Sequence, residues 1–159
     1  ADQYQFSNVA VSLFTKQLIF DYATLYRARH QSIADPREFK LSDPEFDRFV
    51  EWLSDKDYDY TTESEKLLEE LQEVAEEEEY FSAIEEQYEE LKQKMMHDKE
   101  QDLFKQKDEV IQLLEEELAL RYYYKAGQIE ASFKYDTDLQ EALSVLKDES
   151  RYTALLAPQ

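Results

Sequence analysis

One glycine, Gly127, and three prolines, Pro36, Pro44 and Pro158, are all that punctuate this chain of 159 residues. Glycine lets the backbone turn sharply or approach a ligand closely. Phosphate-cradling loops, dinucleotide fingerprints and nucleophile elbows each need several glycines, and this chain has nowhere to build one. Long stretches without breakers, rich in Glu, Leu, Lys and Gln, favour helices. A chain of this length buries roughly 70% of its unfolded surface on folding. Its 42% hydrophobic and 14% aromatic residues exceed what a disordered acidic tail carries. The pattern predicts an all-α fold: a helical bundle of about five to six helices with long antiparallel helical hairpins, in a single domain spanning 1–159.

Charge narrows the partners. Eighteen Lys and Arg against 38 Asp and Glu give a formal charge of −20, which repels phosphate backbones and anionic membrane surfaces alike. No nucleic-acid partner is expected. The charge is uneven: Glu63 to Glu100 holds 15 acids and 4 bases, whereas Lys16 to Lys40 holds 5 bases and 3 acids. The acidic run reads first as a solvated glutamate face. With no cysteine, disulfides and zinc-thiolate sites are excluded and the redox compartment is unreadable. No run of about 18 apolar residues exists to span a membrane. The start at Ala1-Asp2-Gln3-Tyr4 carries neither an initiator Met nor an intact signal peptide, and reads as a piece excised from something longer.

The first helix is expected from about Val9 to Arg29, capped by Asn8 or Ser7. Its apolar residues cover well over half the circumference, so it should be largely buried, some of it against a missing part of the protein. Ser42-Asp43-Pro44-Glu45 and Thr62-Glu63-Ser64-Glu65 are capping boxes that open helices. Leu67, Leu71 and Val74, then Phe81, Ile84, Tyr88, Leu91 and Met95, keep helical spacing as far as Met96. The Glu76 to Glu79 block predicts a kink or break. A further helix from about Leu103 to Lys125 should end at Gly127 in a left-handed cap. Asp136 or Asp138 caps a helix bearing Leu139, Leu143 and Leu146, and a last turn holds Tyr152, Leu155 and Leu156.

No motif carries chemistry. Asp55, Asp57 and Asp59 match the first positions of a calcium loop, but its glycine and bidentate Glu positions hold Tyr60 and Lys66. His30 and His97 lack the partners of zinc or di-iron helices. Glu69 with Glu73 and Glu85 with Glu89 share helix faces, but equivalent wet carboxylates do not split into acid and base. Ser12, Ser82 and Ser144 sit in helical pattern without the small-residue turn of a nucleophile. No catalytic residue, metal or cofactor is assigned. Tyr122-Tyr123-Tyr124, between Arg121 and Lys125, reads as core packing with hydroxyls at the surface, or as a contact with another domain. The end of the first helix offers the same choice.

Leu13-Phe14-Thr15-Lys16-Gln17-Leu18-Ile19-Phe20-Asp21-Tyr22-Ala23-Thr24-Leu25-Tyr26-Arg27 resembles a segment that follows the protease core in bacterial carboxyl-terminal processing (tail-specific) serine peptidases. Phe39-Lys40-Leu41-Ser42-Asp43 with Phe46 and Phe49, then Tyr58-Asp59-Tyr60-Thr61-Thr62 and a Glu/Leu-rich helix, are similar to what comes next. Arg121-Tyr122-Tyr123-Tyr124 and the closing Asp138 to Leu156 pattern also fit. The resemblance implies a cell-envelope (periplasmic) enzyme with a PDZ-like domain and a Ser/Lys core, neither of which lies in this sequence. This chain would be its non-catalytic helical C-terminal domain, packing on its own protease core or on another copy of itself and contributing to assembly or to substrate access. Candidate interface residues are Phe14, Leu18, Phe20, Tyr22, Tyr26, Arg27, Arg29 and Tyr123. The alternative is a free-standing acidic helical adaptor that binds a basic protein.

Overall fold

The computed structural model describes residues 6–148, leaving aside the side chains of residues 97–100. Helices α1 (Asn8–Thr15), α2 (Leu18–Arg29), α3 (Asp43–Leu53), α4 (Glu63–Glu77), α5 (Phe81–Lys105), α6 (Lys107–Ser132) and α7 (Thr137–Lys147) follow in order, with no strand among the described residues. Tyr124 divides α6, making eight helices among the described residues where the sequence suggested five to six. The fold is all-α. Its contacts group into two compact units, one built from the chain up to Leu18 with Leu53–Val110, the other from Ile19–Trp52 with the chain from Ile111 onward.

In the first unit α1 and α4 each pack on α5, around Val9, Leu13, Leu68, Ala75, Tyr88 and Leu103. Ser7 caps α1 by accepting the Ala10 N–H. The buried Ser12 hydroxyl donates to the Tyr58 carbonyl at 2.7 Å and so pins the polar loop before α4. Thr62 and Glu65 form the expected capping box, with bonds of 3.1 and 2.6 Å. The expected break falls at Glu78–Tyr80. The Tyr80 N–H reaches the Ala75 carbonyl and the Glu79 N–H reaches that of Glu76. This is a Schellman ending, with Glu79 at φ 61° where glycine is usual.

The second unit has an aromatic centre. Tyr22 on α2 meets Phe49 edge-on at 4.9 Å and Trp52 at 5.4 Å, both on α3. Ile19, Ala23, Phe46, Leu114 and Leu118 complete this core. The Ser42 box forms only by half. Ser42 Oγ accepts the Glu45 N–H, but the Glu45 carboxylate turns inward, taking the Tyr22 hydroxyl and the Arg48 guanidinium at 2.6 Å each.

Three boundaries differ from the expectation. The helix from Val9 to Arg29 is two helices, because Gln17 adopts φ 64° and resets the buried face. Helix α5 continues past Met96 to Lys105; the helix expected to end near Lys125 does break, at Tyr124, but a further helix then carries the chain through Gly127 to Ser132. Gly127 is therefore no left-handed cap. Its hydrogen is required by crowding: a Cβ there would lie 2.2 Å from Tyr123 Cβ and 3.0 Å from the Ala119 carbonyl oxygen. The positive φ belongs instead to Tyr124 (φ 60°, ψ −160°). Asp136 caps α7 through the Leu139 N–H at 2.9 Å. The turn at Tyr152, Leu155 and Leu156 lies outside the described residues.

Candidate interaction surfaces

The residues proposed for an interface fall into two sets. Leu18, Tyr22 and Tyr26 are buried in the chain itself. Phe14 and Phe20 are 61% and 50% exposed, and Arg27 and Arg29 are also exposed. The split follows from Gln17: after the reset, α2 turns Ile19, Tyr22, Ala23 and Tyr26 inward and Phe20 and Leu25 outward.

In the second unit, arginine and tyrosine knit the end of α2 to α6. Arg121 lies over the Phe20 ring at 4.2 Å and donates to the Phe20 carbonyl at 2.8 Å. Arg27 stacks on Tyr122 at 4.7 Å and donates to the Arg121 carbonyl. Tyr122 and Tyr123 donate to the carbonyls of His30 and Ile33, in the loop that follows α2. Tyr26 stacks on His30 at 3.9 Å. Tyr123 thus serves the fold through its hydroxyl while its ring stays partly exposed. Burial pushes the Tyr26 and Tyr122 phenols up. Burial, then the bond to Glu45, does so further for Tyr22.

Two polar clusters escaped the sequence reading. Glu115 on α6 is buried and accepts the Leu41 N–H at 2.8 Å, the Tyr135 hydroxyl at 2.6 Å and the Lys134 ammonium. Lys134 also donates to the Phe39 carbonyl. These three donors tie the buried Glu115 carboxylate to the loop before α3 and to the residues that follow α6. Glu45 is the second. A usable signal for Glu115 is its place four residues after Ile111 and four before Ala119, on an apolar face.

In the first unit, a groove of about 530 Å³ runs between the loop before α4 and α5. Leu68, Tyr88, Met95 and Met96 are among its apolar lining residues, and Lys56 and Lys92 among its charged ones. Tyr60 donates to Asp102, and burial followed by that bond raises its phenol well above the ordinary value. The three loop aspartates face chain donors. Asp57 takes the Asp59 N–H and the Lys16 ammonium at 3.0 Å each, which hold its carboxyl below the usual range in that order. Asp55 takes Lys56 at 2.7 Å. No cluster of metal-ligating side chains occurs among the described residues.

A family model described as "Probable PDZ-protease, C-terminal helical domain" matches residues 9–146. The chain belongs to this family. The match runs from the second residue of α1 to the penultimate residue of α7, so both units are part of the PDZ-protease helical domain. No curated protein and no solved structure gives a significant match. In this helical domain Glu45 and Glu115 hold its own helices and loops together. No helix among the described residues is long and apolar enough to cross a membrane.

Proposed function

We propose that this chain is a non-catalytic part of a carboxyl-terminal processing serine protease, packing on the protease core and shaping assembly or access to the cleft. The parent enzyme is read as a Ser/Lys endopeptidase of the bacterial cell envelope. The family match over residues 9–146 carries the reading. The exposed Phe14 and Phe20 support it, since large aromatic side chains in water are typical of surfaces that a partner covers. Covering them regains roughly 25 cal/mol for each Å² of apolar surface removed from water.

Hydroxyl-radical footprinting of the isolated chain and of the whole parent protease tests this reading. Phe14 and Phe20 should label readily in the isolated chain and be protected several-fold in the parent. Equal labelling in both would remove the proposed attachment.

A further inference from the structure

Helix α4 is amphipathic, yet its apolar residues are divided between two destinations. Leu68 and Ala75 are buried, and α4 packs on α5. Leu67, Leu71 and Val74, spaced by four and three, lie on one neighbouring strip of the helix and are 64%, 43% and 41% exposed. Single exposed leucines are ordinary, but a row of apolar side chains at helical spacing is the pattern of a helix that receives another helix. Beside this row runs a second, one heptad apart at each step: Glu63, Glu70 and Glu77, all exposed. The only base on α4, Lys66, is ion-paired to Glu63 at 2.7 Å.

Charge selects the occupant. A second copy of α4 laid on the first would bring two glutamate rows along one seam, and like charges there disfavour pairing. A helix with an apolar stripe flanked by Lys or Arg meets the leucines and the glutamates together. We propose that the Leu67–Leu71–Val74 face of α4 is a docking site for a basic-flanked amphipathic helix of a partner.

The test uses the 159-residue chain and two labelled synthetic helical peptides. They share one apolar stripe; one is flanked by Lys and Arg, the other by Glu. Fluorescence anisotropy should show saturable binding of the basic peptide alone, weakening several-fold between about 0.05 M and about 0.5 M salt. Leu71→Ser or Val74→Ser should weaken it by about tenfold or more. Glu70→Lys should weaken it and flatten its salt dependence. These side chains are exposed, so helix content by circular dichroism should not change. Equal binding of both peptides, equal binding by the parent chain and Leu71→Ser, or no binding would each overturn the proposal. So would a dimer in sedimentation that Leu71→Ser abolishes, since that would give the face to a second copy.

Discussion

Tyr124 sits at φ 60° and ψ −160°, a region that glycine alone occupies without steric cost. Its ring is 80% exposed, so burial in this chain offsets little of that cost. What holds it is its neighbours: Tyr122 and Tyr123 are fixed by their hydroxyl bonds, and Gly127 lets the next turn close against Tyr123. Strain of this type costs about 1–3 kcal/mol, and glycine's extra unfolded-state freedom returns about 0.5–1 kcal/mol of any relief. Tyr124→Gly should therefore stabilise the chain by about 1 kcal/mol and raise Tm by about 2–4 °C, read by calorimetry. An unchanged or lower Tm would mean that the ring's contacts outweigh the strain. None of this was legible in the sequence. The lone glycine drew the left-handed assignment because glycine tolerates positive φ best, but Gly127 is needed for space and the strain falls on a tyrosine.

At the scale of elements, helix starts were the most legible feature and helix faces the least. Thr62 and Glu65 are the two ends of one four-residue box, decided by local bonds alone, and the structure has them as expected. Ser42 and Glu45 have the same spacing, but a buried phenol recruited the glutamate. A cap is a local signal, and tertiary demand overrides it where a buried hydroxyl needs an acceptor. The first-helix stripe misled for a related reason. Apolar residues on most sides suggested continuous burial, whereas a break at Gln17 lets two short helices bury separate faces and leaves Phe14 and Phe20 outside. Residue type alone thus did not tell which of the candidate residues would face outward; the orientation set at Gln17 did. Because the Thr62 box acts locally, Thr62→Ala should cost about 1 kcal/mol, seen as a lower urea midpoint with unchanged slope. A change in slope would mean that the cap also governs the compactness of the unfolded or folded chain.

At the scale of the whole molecule, charge and phenols act together. A formal charge of −20 already works against compactness, and rising pH adds to it. Tyr22, Tyr60, Tyr26 and Tyr122 all keep their protons to higher pH folded than unfolded, burial being the first cause for each. Above the ordinary phenol value of about 10, the unfolded chain therefore binds fewer protons than the folded one, and stability falls as pH rises. The stabilisation is fully present below that value and is lost as pH climbs toward the raised, folded values. Urea unfolding at constant ionic strength should show a midpoint that drops steeply above pH of about 10. General charge repulsion predicts a decline as well, so the decisive measurement is Tyr22→Phe. It removes one raised phenol while leaving Arg48 on Glu45. Its midpoint should be lower at neutral pH, because a buried carboxylate loses a donor worth about 1 kcal/mol or more, and should fall less steeply in alkali. Parallel profiles for Tyr22→Phe and the parent chain would assign the alkaline loss to net charge alone.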